Sequence, residues 1–267
     1  MRATHRGDTW QIDRLATVAS DGRLEMEGSW SYRARKPVSR MSVRLTSDNF
    51  GKFLARFGMA DTMRRGGGKL TGQLSWAGAP HQLDVPTMTG ALDLEAQSGQ
   101  FAKVEPGMGR LLAIVSLQAL PKRITLDFRD VFSEGLAFDS LGGHFEMNRG
   151  ILRTENFSIV GSSALISMKG EIDLASQTQS LNVKVVPVLG DSVSLAAGFV
   201  INPVVGLTAL VVQKLLKDPL GQLMAYEYHI SGKWSDPKVE RLGSWLLNTA
   251  NRAQPPADAG ASSPYSN

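Results

Sequence analysis

The chain has 267 residues, and its 42% hydrophobic and 20% charged content supports a packed core and argues against global disorder. It holds no cysteine, which excludes a disulfide framework, thiol catalysis and cysteine-based zinc sites. A net charge of +4 describes an ordinary solvated surface, or at most weak attraction to anionic membranes; without a dense basic stripe and interleaved aromatics, nucleic acid is not an expected partner.

The opening, MRATHRGDTWQIDRL, is polar and has no apolar h-region, so no signal peptide is expected. It reads as if it begins inside a strand pattern, which favours a piece of a longer protein. GRLEMEGSW then alternates, with Leu24, Met26, Gly28 and Trp30 on one face and Arg23, Glu25, Glu27 and Ser29 on the other. RMSVRLTS repeats the pattern with Met41, Val43 and Leu45. SDNFGKFLARFG predicts a helix near 47–57: Ser47 or Asp48 caps it, Phe50, Phe53, Leu54 and Phe57 share a face, and Gly58 closes it. RGGGKL, at 65–70, lacks the leading glycine and the final Ser/Thr of a phosphate loop and is expected to be a turn.

A second helical insert is predicted near 107–120, between Pro106 and Pro121. Its Leu111, Leu112, Val115, Leu117 and Leu120 nearly encircle the helix. Residues 122–174 read as a meander of short strands, with turns at Arg149-Gly150 and Gly161-Ser162 and a further turn at Ser176–Thr178. A strand follows at 180–189. From Ser192 to Gln213 there is no charge, a length that could cross a bilayer. Pro203 argues against one straight helix, because an interior proline costs roughly 3 kcal/mol, whereas proline suits the first turn of a second helix. Residues 192–224 are therefore expected to form an apolar helical hairpin hinged at Asn202-Pro203. YEYHISGKW returns to alternation, with Tyr226, Tyr228, Ile230, Gly232 and Trp234 on one side. A short apolar segment at Leu242–Leu247 ends this region at 247, and the Pro/Ala/Ser-rich tail 248–267 is expected to be disordered.

One echo runs through the strands: apolar, any, Gly, any, apolar. It occurs as MEGSW, LTGQL, MTGAL, LGGHF, MKGEI and ISGKW. Glycine inside a strand marks a bend or a close approach. Its recurrence predicts many similar strands in one curved sheet; the spacing is too irregular for a strict solenoid.

Catalytic patterns are missing. His5, His81, His144 and His229 share no motif with carboxylates, and neither H-E-x-x-H nor G-x-S-x-G occurs. Asp127, Asp130 and Asp139 read as turn caps or partners of Arg123 and Arg129. Asn156-Phe157-Ser158 fits a glycosylation sequon, a match too common to weigh. No metal site, cofactor or enzymatic activity is expected. What remains is an excess of apolar surface, explained either by a well-covered core or by a sheet curved into an open apolar groove, which would call for a lipid or protein partner.

GRLLAIVSLQALPKRITLDFRDVFSEGLAFDSLGGHF (109–145), GILRTENFSIVGSSALISMKGEIDL (150–174), QKLLKDPLGQL (213–223) and YEYHISGKWSDPKVERL (226–242) carry a family resemblance. The stretch from Leu70 to Leu242 resembles the C-terminal region of the YhdP-type AsmA-like (TamB-related) envelope proteins of Gram-negative bacteria. The resemblance implies a periplasmic location, within a protein anchored in the inner membrane by an N-terminal helix absent from this chain. It also implies a long β-groove that moves phospholipid towards the outer membrane without enzymatic chemistry, with the C-terminal end near that membrane.

The expected fold is thus mainly β: an elongated, curved, antiparallel-rich sheet forming an apolar groove over residues 1–191, with short helical inserts, followed by the apolar hairpin at 192–224 and a returning strand within 225–247. Candidate groove residues are Met26, Trp30, Leu70, Leu74, Trp76, Phe145, Met168, Ile172, Tyr228, Ile230 and Trp234. Candidate apolar-helix and hinge residues are Leu111, Leu112, Val115, Phe199, Pro203, Leu207 and Leu210. The expected function is a segment of a bridge-like lipid transfer protein; the alternative is an envelope scaffolding or protein-binding module that carries no lipid. Expected partners are phospholipid and the membrane surface, with envelope proteins as further candidates.

Overall fold

The computed structural model describes residues 2–33, 36–56, 58, 62–101, 135–162, 164–187 and 225–244. The alternating segments become twelve strands: β1 (Arg2–Arg6), β2 (Thr9–Ala19), β3 (Gly22–Arg33), β4 (Lys36–Ser47), β5 (Met63–Ala77), β6 (Thr89–Phe101), β7 (Leu136–Asn148), β8 (Ile151–Val160), β9 (Ala164–Asp173), β10 (Thr178–Pro187), β11 (Tyr226–Lys233) and β12 (Asp236–Ser244). They form one open, curved antiparallel sheet in which each strand pairs with its neighbour in sequence. At ~4.8 Å between strands, the ladder runs about 50 Å from β1 to β12. One helix, α1 (Phe50–Arg56), and a 3-10 turn at Val85–Thr87 interrupt the meander among the described residues.

Strands β6 and β7 pair directly although residues 102–135 lie between them in sequence, and β10 and β11 pair directly across 188–225. The two apolar stretches are therefore excursions from one sheet and not borders between two sheets. The connection carrying α1 and both excursions leave from the same end of the strands. At the opposite end lie the short turns Gly7-Asp8, Arg149-Gly150, 174–177 and Trp234-Ser235, together with the 78–88 connection. The candidate residues Leu111, Leu112, Val115, Phe199, Pro203, Leu207 and Leu210, the hairpin at 192–224 and the tail at 248–267 lie outside the described residues.

Register gives the sheet two unlike faces, because directly paired residues point to the same side. One continuous row crosses all twelve strands: Ala3, Ile12, Gly28, Met41, Leu74, Gly90, Met147, Leu152, Ile172, Gln179, Gly232 and Pro237. A second row, on the same face, joins Leu15, Met26, Val43, Gly72, Leu92 and Phe145. The opposite face carries ion pairs at directly opposed positions, Lys69–Glu95 at 3.2 Å, Arg153–Glu171 at 3.5 Å and Lys184–Glu227 at 3.6 Å, and a hydrogen bond between His144 Nδ1 and Asp93 Oδ1 at 2.8 Å. Opposite charges across a strand pair are mildly stabilising and help to fix register.

The echo glycines have a steric cause. A Cβ at Gly28 would collide with the Arg40 carbonyl oxygen, and one at Gly90 with the Gln73 carbonyl oxygen. Both sit at positive φ, +156° and +143°, where side chains are strongly disfavoured.

The helix packs where the sheet is lined by small residues. Gly22, Ser47, Gly68 and Ala96 are successive partners across β3–β6. A Cβ at Gly22 would stand 2.9 Å from the Phe53 ring. Phe50 and Phe53 are buried. Three local expectations change. The cap of α1 is Asn49, whose Oδ1 accepts the Lys52 N–H at 3.0 Å, while Ser47 Oγ accepts the Asn49 N–H. RGGGKL is not a turn but part of β5: Arg65 and Gly66 adopt positive φ there and the chain stays paired with β6 on either side. Residues 225–244 form a two-strand hairpin, β11 and β12, where alternation suggested one strand.

Candidate functional site

All eleven candidate groove residues fall on the apolar side. Met26, Leu70, Leu74, Phe145 and Ile230 join through register to apolar or small partners on neighbouring strands, whereas Ile172 pairs with Leu152 and Gln179 and Tyr228 with Val183 and Arg241. Met168 pairs with Phe157 and Val183. Trp30 and Trp76 face each other across Ser39. Trp234 belongs to the same core cluster as Met168, Tyr228 and Ile230.

The face is not equally closed along its length. Trp76, Met168, Tyr228, Ile230 and Trp234 are buried, whereas Met26, Trp30, Leu70, Leu74, Phe145 and Ile172 are half-buried. From β8 to β11 the face is a closed core, in which Ile159, Ile166, Leu181 and Val183 are at most 1% exposed. From β2 to β6 it remains partly accessible: Leu24, Met26, Val43, Leu45, Leu70, Leu74, Leu92 and Leu94 are all half-buried. At ~4.8 Å between strands this stretch is about 20 Å across, and its two central rows carry no charged side chain.

Aromatic residues collect at the short-turn end of this stretch. His5, Trp10, Trp30, Ser39 and Trp76 are successive partners from β1 to β5. The His5 and Trp10 rings lie 4.7 Å apart, and Trp10 and Tyr32 are exposed. Trp76 is held by donating its indole N–H to the Ala79 carbonyl at 3.1 Å, and Ser39 Oγ donates to the Gly78 carbonyl at 2.9 Å. Aromatic rings with one polar end suit a boundary between apolar and wet surroundings.

Two side chains on this side, Arg241 and Gln179, escape a reading by alternation. Arg241 on β12 pairs with Tyr228, and its guanidinium lies 4.8 Å over the Tyr226 ring. Burial pushes the Tyr228 phenol above its ordinary pKa, against the opposing pull of Arg241. Gln179 is 5% exposed, and among the described residues neither its amide nitrogen nor its amide oxygen has a hydrogen-bond partner; the buried indole N–H of Trp234 has none there either. A lone glutamine in an alternating strand carries no signal of this kind, since its burial depends on neighbours distant in sequence.

Among the described residues no three His, Asp or Glu side chains group as metal ligands, and no helix is long and apolar enough to cross a membrane. Asp139 is exposed on β7, while Asp127 and Asp130 lie outside the described residues. The sequon asparagine has a structural use. At the β7–β8 bulge the Asn156 Oδ1 accepts the His144 N–H at 2.8 Å, and Thr154 Oγ1 donates to the His144 carbonyl at 2.8 Å, replacing ladder bonds that the bulge removes.

The intermembrane phospholipid transporter YhdP of Escherichia coli (strain K12) is 28% identical over 240 residues, covering 90% of this chain and 19% of that protein. The chain thus corresponds to a minor part of the relative's length. No solved structure matches it. The family described as YhdP protein matches residues 1–239, nearly the whole of the strand ladder, and the chain belongs to that family.

Proposed function

We propose that this chain is the C-terminal segment of a bridge-like lipid transfer protein that carries phospholipid between the inner and outer membranes. One observation carries the reading: a single face stays apolar in register from strand to strand while the opposite face carries paired charges. The relative's description as an intermembrane phospholipid transporter supports it. Acyl chains rest on the half-buried rows of β2–β6, where water contact with apolar surface is reduced at about 25 cal/mol per Å². Head groups stay in solvent beyond the rim. On this reading the segment works in the periplasm, tethered to the inner membrane by a helix outside this chain, and its C-terminal end meets the outer membrane.

The test is lipid co-purification. The purified chain is expected to carry phospholipid detectable by mass spectrometry and to take it up again after delipidation. Leu74→Glu, on the apolar face, is expected to reduce uptake strongly, because a carboxylate on that surface must stay solvated or protonate. Gln73→Glu, one residue away on the polar face, is expected to leave uptake intact. Failure of the delipidated chain to take up any phospholipid would overturn the proposal.

The closed packing of β8–β11 favours a second reading for that half. There the face is a structural core, and the segment serves as a scaffolding or protein-binding module of the envelope. Crosslinks to protein partners with no bound lipid would decide for it.

A further inference from the structure

The twelve-strand row from Ala3 to Pro237 contains one side chain with hydrogen-bonding groups, Gln179 on β10. Its partners are Ile172 on one side and Gly232 on the other, so no side chain stands opposite it on β11. Two residues beyond Gly232 comes Trp234, at the β11–β12 turn, anchored by donating its backbone N–H to the Gln177 carbonyl at 3.0 Å. Both residues are 5% exposed, and three polar atoms, Gln179 Nε2, Gln179 Oε1 and Trp234 Nε1, are buried without a hydrogen-bond partner among the described residues. Buried polar groups are nearly always paired, and leaving one unpaired is costly. An apolar residue at position 179 would match the rest of the row.

We infer that Gln179 and Trp234 form a polar station at the short-turn margin of the apolar face, beside the closed β8–β11 core, that hydrogen-bonds a neutral carbonyl oxygen, the ester carbonyl of a diacyl lipid seated at that margin. The inference rests on the lipid-carrying reading. Two of the three unpartnered atoms are N–H donors, so the group they call for is chiefly an acceptor. The row carries no cation, which suits an uncharged carbonyl better than a phosphate. The station lies beside the two-residue Trp234-Ser235 turn, at the margin of the sheet next to the last strand. Lipids would therefore be sensed at their glycerol linkage, independently of head group.

The test compares diester and diether phospholipids of identical head group and chain length, the diether lacking the carbonyls. Binding of each to the 267-residue chain is measured by displacement of a fluorescent fatty-acyl probe. The chain is expected to prefer the diester by about three- to tenfold, the worth of one net hydrogen bond. Gln179→Leu and Trp234→Phe are each expected to reduce the diester-over-diether preference towards unity. Gln179→Met, of similar length, repeats the test should the leucine variant fail to fold. Equal diester and diether binding by the unaltered chain would overturn the station but leave the lipid-carrying reading standing. So would an unchanged preference in the Gln179 variants. Absence of binding by either lipid would overturn both.

Discussion

Arg56, at the C-terminal end of α1, closes onto Asp21 in the β2–β3 turn, with Nη2 2.8 Å and Nε 2.9 Å from Oδ1. The Asp21 side chain is 4% exposed although the Arg56 side chain is 54% exposed. The helix is thus clasped to the sheet by a carboxylate that the protein shields and a guanidinium that water still reaches. The Arg56 hydrogen bond holds the Asp21 carboxyl below its ordinary pKa, against the opposing effect of burial. Because the folded value lies below the unfolded value of about 3.9, the stabilisation is complete above about pH 4 and is lost as pH falls through the folded value. Asp173 contributes in the same sense, its carboxyl being lowered by the Ser176 and Ala175 N–H groups it accepts at 2.9 Å each. Asp21→Asn is expected to lower the thermal midpoint at pH 7 and to flatten its fall between pH 4 and pH 2. Thermal scans by circular dichroism at both ends of that range check it, and an unchanged acid slope would remove Asp21 from the account.

Gly90 and Gly7 separate close approach from turn conformation. Both have positive φ, +143° and +58°, but a Cβ at Gly90 would collide with the Gln73 carbonyl oxygen, whereas at Gly7 nothing lies within 4 Å. Gly90→Ala must push two central strands apart and is expected to destabilise by more than the about 1–3 kcal/mol of backbone strain alone. Gly7→Ala pays only for the left-handed conformation, about 1–2 kcal/mol. Urea unfolding of the two variants measures the difference. Equal losses would mean that strand separation is not what the glycine prevents.

The bulge of β7 and β8 gives a smaller and more local prediction. Asn156→Ala removes the acceptor of the His144 N–H and is expected to cost about 0.5–1.5 kcal/mol, the net worth of one hydrogen bond. Amide exchange at His144 is expected to quicken while amides of β3 and β4 are unaffected. Unchanged protection at His144 would show that the side chain does not hold the bulge.

Strand periodicity made the sheet legible before any coordinates. The period-two pattern around Met26, Met41 and Leu74 assigns their faces correctly because one side of the sheet is apolar and the other charged. The echo glycines were legible as a pattern, though not as a register row, because pairing depends on bulges such as the one between Ile12 and Leu15. RGGGKL misled because glycines signal turns by composition, whereas Gly68 here is a strand residue pressed against the Glu95 carbonyl and the Ala96 backbone of β6. The cap of α1 slipped to Asn49 because Ser47, Asp48 and Asn49 are all good caps, and Ser47 is already engaged with the Asp21 carbonyl. The placing of Gln179 opposite Gly232, two residues from Trp234, was out of reach, since it follows from β10 meeting β11 after the long excursion at 188–225.

Charge substitutions along the apolar face should divide the sheet into two halves. Ile230 is 5% exposed, within the core shared by Leu181, Val183 and Tyr228, whereas Leu74 is half-buried between Met41 and Gly90. Ile230→Glu must either bury a carboxylate or open the β9–β11 core, and is expected to cost more than about 3 kcal/mol and to unfold part of the chain at 37 °C. Leu74→Glu can leave its carboxylate at the surface and is expected to cost about 1–2 kcal/mol, mostly lost apolar burial, with the sheet intact. Its effect on lipid uptake then reads the surface and not the fold. Lys233→Glu, on the polar face of the same strand as Ile230, is expected to change stability by less than about 0.5 kcal/mol. Urea midpoints for the three variants order the sites, and the ordering Ile230, then Leu74, then Lys233 follows from burial alone. A Leu74→Glu cost equal to that of Ile230→Glu would mean that the β2–β6 face is as closed as the β9–β11 core, and that lipid has no open surface there to follow.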